Sequence, residues 1–127
     1  MTTAAYQRVV LKLSGETLGG PDGQGLDCGR ARSLAHELAG LAQLGCGLIL
    51  VVGGGNLLRG RAAKAAGLAA IQADRIGMLA TVMNAIALGS LLAAEGAPAR
   101  VFSAVPLVPF AEPYTSEAAL AALARGE

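Results

Sequence analysis

Continuous apolar runs of strand length alternate with helically spaced apolar residues along the chain. RVVLKL at residues 8–13 predicts a first strand, and GLILVV at residues 47–52 predicts a parallel strand covered on both faces. ARVFSAVPLVPF at residues 99–110 predicts a third strand with its exit loop. A loop and then a helical segment follow each strand, which is typical of an α/β protein with a mainly parallel sheet.

The predicted helices have recognisable ends. Asp27 is a suitable N-cap for a helix that runs to about Leu44, where glycines follow. A long helix is expected over residues 69–94, and either Thr115 or Ser116 caps a last short helix. We therefore predict a three-layer α/β sandwich. The chain ends at a helix and turn where a strand would come next, so the sheet is expected to be incomplete at the C-terminus.

Composition excludes several classes of protein. The 127 residues are 54% apolar and 15% charged, which predicts one folded domain with a net charge of only +1. This balance gives no electrostatic reason to expect a nucleic-acid or membrane-surface partner. Two cysteines and one histidine make a disulfide scaffold or a zinc site improbable, and no metal-ligand set is predicted. Without a signal-peptide pattern, a reduced cytoplasmic protein is expected.

The segment 76–94 carries no charged residue and is long enough to cross a bilayer. It contains Thr81, Asn84 and Ser90 and much alanine, and no aromatic belt flanks it. A helix that is apolar all round can also be buried in a core or a subunit interface. We favour the buried or interface interpretation over a membrane span.

Two glycine-rich loops follow predicted strands, at residues 14–25 and 53–55. Ligands of α/β folds bind at the carboxyl ends of strands, and bare backbone N–H groups there bind anions. The dinucleotide fingerprint GxGxxG fails because residue 58 is Leu, and the P-loop pattern fails after Gly60. The alternative is that the triple glycine is only a tight strand-to-helix turn.

Three charged residues stand near these loops. Lys12 interrupts the apolar first strand, and Arg59 follows the triple glycine closely. With the glycines, they have the elements of a phosphoryl-transfer site, which acts through positioning and charge stabilisation. Lys12 alone would more simply be a solvated edge residue. Asp74 is either an acceptor for a sugar hydroxyl or an acid at a helix N-terminus.

Four segments together carry a family resemblance. KLSGE at 12–16, VVGGGNLLRG at 51–60, ADRIGMLATVMNAIAL at 73–88 and SAVPL at 103–107 closely resemble the bacterial UMP kinases of the amino-acid kinase superfamily. The resemblance runs over nearly the whole chain in the same order. It implies an amino-acid-kinase-like fold, of which residues 1–127 would be the N-terminal, phosphate-handling and UMP-side part of one domain.

The resemblance also implies an activity, namely transfer of phosphate from ATP to UMP with Mg²⁺, in a cytoplasmic homohexamer. The implied catalytic residues are Lys12, which would stabilise the transferred phosphoryl group, and Arg59, which would face ATP. The implied ATP-binding residues are Lys12, Leu13, Ser14, Gly15, Gly55 and Arg59. The implied UMP-binding residues are Gly54 and Asp74. A GTP effector would bind the segment Gly20, Pro21, Asp22, Gly23, Gln24 and Gly25, and the 76–94 helix would pack between subunits.

The chain departs from the family in length and in detail. Family members are roughly twice as long, and their second half supplies the loop that holds UMP, a catalytic Asp and the adenosine pocket. Gly89 and Ser90 replace expected charged residues, and Arg75 replaces a more usual His. We therefore expect a fragment with weak or no activity alone. The alternative is a non-catalytic nucleotide- or phosphate-binding module.

Overall fold

Two parallel strands organise the structure, a computed structural model that describes residues 4–127. Strand β1 (Arg8–Leu13) pairs along its whole length with β2 (Gly47–Val52), in a register that places Lys12 beside Val51 and Leu13 beside Val52. A 3₁₀ helix (Gly15–Leu18) follows β1 directly, inside the segment predicted as a loop. The α/β class and the parallel pairing are confirmed.

Two helices cover one face of this sheet. Helix α1 (Cys28–Gln43) begins at the predicted cap, where the Asp27 side chain accepts a hydrogen bond from the Arg30 amide. Helix α3 (Ala70–Ala94) packs beside it, and Leu38 and Leu88 are buried between them. Alternate strand residues pack against these buried side chains, because successive side chains of a strand point to opposite faces: Leu11, Leu13, Leu48, Leu50 and Val52.

The opposite face of the strands is open. Val10 is 64% exposed and Val51 is 45% exposed. The apolar sequence of β2 predicts cover on both faces, and residues 4–127 do not provide it. An apolar groove of about 450 Å³ runs beside β2, with residues from α3 and from the last helix in its walls.

Helix α3 matches the predicted long helix within one residue. By length and composition it is apolar enough to cross a membrane. In this structure it packs against α1, against the short helix α2 (Gly60–Ala65) and against the 3₁₀ helix. Its buried side chains form one stripe: Ala73, Ala80, Asn84, Leu88 and Leu92. This packing agrees with the buried interpretation for one side of the helix.

The third strand is much shorter than its sequence predicts. Only β3 (Phe102–Ser103) forms, and it pairs in parallel with β4 (Glu112–Pro113) as a separate two-stranded sheet. Prolines at 106 and 109 interrupt the apolar run and remove backbone donors, which explains the short ladder. Helix α4 (Ser116–Ala124) follows, and its cap is Thr115, whose hydroxyl accepts from the Ala118 amide.

Candidate functional site

The parallel register of β1 and β2 brings the two glycine-rich loops together at one edge of the sheet. The Gly53 amide donates to the Leu13 carbonyl at 2.9 Å, so the turn after β2 begins beside the end of β1. Ser14 caps the 3₁₀ helix that follows, accepting from the Glu16 amide at 3.3 Å. The carboxyl ends of parallel strands are where α/β folds bind ligands.

Lys12 lies over this junction. Its ammonium Nζ is 3.5 Å from the Leu13 carbonyl oxygen and 3.6 Å from the position that a Cβ on Gly53 would occupy. The side chain is exposed, on the open face of the sheet. The structure therefore brings together the lysine and the triple glycine, as the sequence predicts.

The three consecutive glycines have different surroundings. A Cβ on Gly54 would lie 2.9 Å from both the Ala80 Cβ and the Thr81 amide nitrogen, so helix α3 itself approaches this backbone. A Cβ on Gly53 would lie 3.2 Å from the Gly15 nitrogen. A Cβ on Gly55 would meet nothing within 4 Å. Two of the glycines thus allow close packing within the protein, and only Gly55 faces open space.

The turn also offers backbone donors. Among residues 4–127, the N–H groups of Gly55 and Asn56 have no acceptor, whereas the Leu57 amide closes the turn onto the Gly54 carbonyl at 3.1 Å. Free N–H groups at such a turn form a concave site for an anion. With the Lys12 ammonium nearby, the arrangement is suited to a phosphate group.

The segment between the 3₁₀ helix and α1 folds back over this region. The Gly20 amide donates to the Gln24 carbonyl at 2.8 Å, and the Asp22 side chain accepts from the Gln24 amide. Gly23 and Gly25 have φ values of 75° and 69°, which L-residues rarely adopt. The Arg30 guanidinium donates to the Gly20 carbonyl at 2.7 Å and ties the segment to α1.

Arg59 reaches this segment from the other side. Its guanidinium is 2.7 Å from the Glu16 carboxylate, and both side chains are about half exposed. A Cβ on Gly23 would lie 3.5 Å from Arg59 Nη2 and 3.4 Å from Glu16 Cβ. The predicted ATP-side arginine therefore lies beside the predicted effector segment, paired with a carboxylate that the sequence analysis did not single out.

Two asparagines were also missed by the sequence analysis. Asn56 follows the triple glycine and Asn84 lies in the middle of α3, and both are buried. Their side chains hydrogen-bond to each other and to the glycine loops. A polar residue inside an uncharged helix was a detectable signal, since a buried carboxamide needs partners.

Among residues 4–127, no hydrogen bond or ion pair joins the Asp74 side chain to the loops. It is exposed in the second turn of α3, three residues before Gly77, whose carbonyl lies against Gly54. The N-cap of α3 is Ala69 and the first turn has no acidic residue, so the alternative role as a helix-terminal acid is wrong. The predicted role in UMP binding stays a prediction.

Two shifted acid–base pairs lie outside this site. A 2.8 Å hydrogen bond from His36 Nδ1 to the Glu95 carboxylate raises the pKa of His36, and the charges of Glu95 and Glu37 act in the same direction. Hydrogen bonding to Arg125 lowers the pKa of Glu127 and raises that of the arginine. The first pair joins the middle of α1 to the C-cap of α3, and the second lies at the C-terminal end of α4.

Comparisons with known proteins agree with this geometry. The sequence profile described as the Amino acid kinase family matches residues 7–126. A uridylate kinase of Legionella pneumophila (strain Corby) is 43% identical over 122 residues, which is 96% of this chain and 50% of the relative.

Solved structures give the same result. The crystal structure of the UMP kinase from Bacillus anthracis superposes with a TM-score of 0.87 at 34% identity, covering 95% of this chain and 50% of that one. The UMP kinase of Ureaplasma parvum gives a TM-score of 0.86 at 28% identity, covering 96% and 54%. The chain spans about half the length of these relatives. On the family match over nearly all of its residues, the chain belongs to the amino acid kinase family.

Proposed function

We propose that the chain is the phosphate-handling part of an ATP-dependent UMP kinase, which converts UMP and ATP to UDP and ADP. The observation that carries this proposal is that the Lys12 ammonium lies beside Gly53, in the same turn whose Gly55 and Asn56 amides have no acceptor among residues 4–127. The relatives reported as uridylate or UMP kinases support the choice of substrate. A role in pyrimidine nucleotide biosynthesis and a cytoplasmic location belong to the same proposal.

The proposed mechanism relies on positioning and charge. The amides of Gly55 and Asn56 would hold phosphate oxygens of ATP, and Lys12 would stabilise the charge that develops on the transferred group. Arg59 would leave Glu16 to bind the ATP phosphates. UMP would bind on the side of Gly54 and Asp74, with Ser14 and Gly15 lining the ATP side.

Mg²⁺ would enter with ATP. Within residues 4–127 no three His, Cys, Asp or Glu side chains form a cluster that could hold a metal ion. Mg²⁺ is commonly bound through substrate phosphates with one or two carboxylates, and these residues do not supply a set of their own. The residues of this chain would bind the phosphates with which Mg²⁺ enters.

The proposed effector and subunit contacts rest on two further features. GTP would act on the segment Gly20–Gly25, and contact of Gly23 with Arg59 and Glu16 would carry its effect to the ATP side. A homo-oligomer, a hexamer by the family resemblance, would form through α3. That helix leaves large apolar side chains exposed: Ile76, Met78, Leu79, Met83 and Ile86.

Binding and turnover should be measured on the same preparation. We expect calorimetry to show binding of ATP, and of UMP in preference to CMP, with little release of ADP in a coupled assay. Lys12→Ala should weaken ATP binding, whereas Lys64→Ala, a change of the same type on α2, should not. Turnover at ordinary enzyme rates would contradict the proposal that the chain has little activity alone.

The alternative function is a non-catalytic nucleotide- or phosphate-binding module. It is favoured by the same free amides, which do not by themselves distinguish nucleotides. Equal affinity for inorganic phosphate, UMP and CMP, with no turnover, would support the module and contradict the UMP kinase proposal. A preference for UMP over CMP would exclude a general phosphate module.

A further inference from the structure

The side chains of Asn56 and Asn84 form a closed pair of carboxamides. Asn84 Nδ2 donates to Asn56 Oδ1 at 2.6 Å, and Asn56 Nδ2 donates to Asn84 Oδ1 at 3.2 Å. Both residues are buried, and Asn84 is fully so. The pair links the middle of α3 to the turn that follows β2.

The remaining donor of each amide is used on a glycine loop. Asn84 Nδ2 donates to the Gly53 carbonyl at 2.8 Å, and Asn56 Nδ2 donates to the Gly25 carbonyl at 2.7 Å. Because a backbone carbonyl can only accept, these two contacts fix which end of each carboxamide is nitrogen. All four amide hydrogens of the pair therefore have defined acceptors.

The pair thus holds both glycine loops and the helix in one arrangement. The backbone of Asn56 adds a second contact to the same loop, since its carbonyl accepts from the Gly25 amide at 2.8 Å. A Cβ on Gly15 would lie 2.5 Å from Asn56 Oδ1, so the loop after β1 also packs on this side chain. Within residues 4–127, the N–H groups of Gly55 and Asn56 have no acceptor.

We propose that Asn84, acting through Asn56, is a positioning residue that holds the Gly53–Asn56 turn in the conformation that binds phosphate. The proposal rests on the function proposed above and deepens it. Asn84 does not touch the ligand. It fixes the turn from the helix side, so that the two free amides are oriented before a phosphate arrives, and binding then loses little conformational freedom.

Asn84→Asp is the most direct test because the aspartate side chain has nearly the same shape as asparagine. The substitution removes the donor to Gly53 and places a carboxylate oxygen against a carbonyl oxygen, so the turn must move. Leu88→Ala is the matched control, since Leu88 is buried one turn further along α3 in the apolar core. It lowers stability without removing a hydrogen bond of the pair.

Two measurements on the full chain distinguish a displaced turn from a general loss of folding stability. At a temperature where every variant is folded, we expect Asn84→Asp to weaken ATP binding by at least about tenfold and Leu88→Ala by less than about threefold. In the ligand-free chain, hydrogen exchange at the Gly25 and Gly53 amides should accelerate more in Asn84→Asp than in a Leu88→Ala variant of equal melting temperature. A double change, Asn56→Ala with Asn84→Ala, should lose no more affinity than the larger single change.

The outcomes distinguish the two proposals. If the unchanged chain binds neither ATP nor UMP, the proposed function fails, and the exchange rates alone decide the positioning proposal. Equal acceleration in Asn84→Asp and Leu88→Ala overturns the positioning role, as does unchanged ATP affinity in Asn84→Asp when the unchanged chain binds ATP. Greater acceleration at Gly25 and Gly53 in Asn84→Asp supports it.

Discussion

The guanidinium of Arg59 lies 2.7 Å from the carboxylate of Glu16, between the turn after β2 and the segment that precedes α1. Both side chains are about half exposed, so water screens their attraction and the pair is weak. A weak pair can exchange partners readily. The arrangement keeps Arg59 beside the phosphate-binding turn and leaves it available to a stronger anion.

Removing the Glu16 carboxylate, which competes with ATP for Arg59, should strengthen nucleotide binding. We expect Glu16→Gln to tighten ATP binding by about two- to fivefold, because the pair that must be broken is worth less than about 1 kcal/mol. Arg59→Ala should weaken ATP binding, and Arg61→Ala, an exposed arginine on the same short helix, serves as the control. Weaker ATP binding by Glu16→Gln in calorimetry would contradict this account of the pair.

Substitution by alanine should cost much more stability at Gly54 than at the neighbouring Gly55. Gly54→Ala places a methyl group 2.9 Å from α3, so we expect a loss of about 1–3 kcal/mol in the free energy of unfolding. Gly55→Ala enters open space at an ordinary φ, and its stability should change by less than about 1 kcal/mol. Urea unfolding measures both, and equal losses would show that the turn is not packed against α3 as described.

The only histidine of the chain should give stability a measurable pH dependence. His36 is exposed, and its bond to Glu95 raises its pKa above the ordinary value of 6.5. The folded state therefore holds the proton more tightly than the unfolded state. This stabilisation is complete below pH 6.5 and is lost as the pH rises through the folded-state pKa.

Melting temperatures measured between pH 5.5 and 8.5 test this expectation. The melting temperature of the unchanged chain should fall more with rising pH than that of His36→Gln. An NMR titration should give the raised pKa of His36 directly. Glu95→Gln should return the pKa towards its ordinary value. A pKa at or below 6.5 in the folded chain would refute the contact.

The exposed side of α3 should govern self-association. Met83 is 59% exposed in a row of apolar side chains, and we expect Met83→Glu to shift any oligomer towards the monomer in analytical ultracentrifugation. Leu41→Glu makes a similar change on α1, where Leu41 is 44% exposed, and should leave the oligomer intact. Greater dissociation by Leu41→Glu would locate the interface elsewhere.

Local sequence signals predicted much of this fold because they act over a few residues. The Asp27 and Thr115 caps are decided by a side chain and an amide three residues away, and α3 was expected within one residue of its observed start. The paired strands β1 and β2 followed from apolar runs of strand length. Because ligands of α/β folds bind at the carboxyl ends of strands, the sequence also predicts Lys12 beside the triple glycine.

Only the tertiary structure decided what the glycines and the polar residues contact. The sequence indicated an anion site or a tight turn at the triple glycine, but it could not show that α3 is the neighbour of Gly54. The partners Asn56 and Asn84 are far apart in the chain, and Glu16 meets Arg59 across two loops. Strand β3 is short although its segment is apolar, because the prolines at 106 and 109 remove backbone donors. Helix caps, the spacing of apolar residues and turns are local properties, whereas these contacts depend on how separate elements pack.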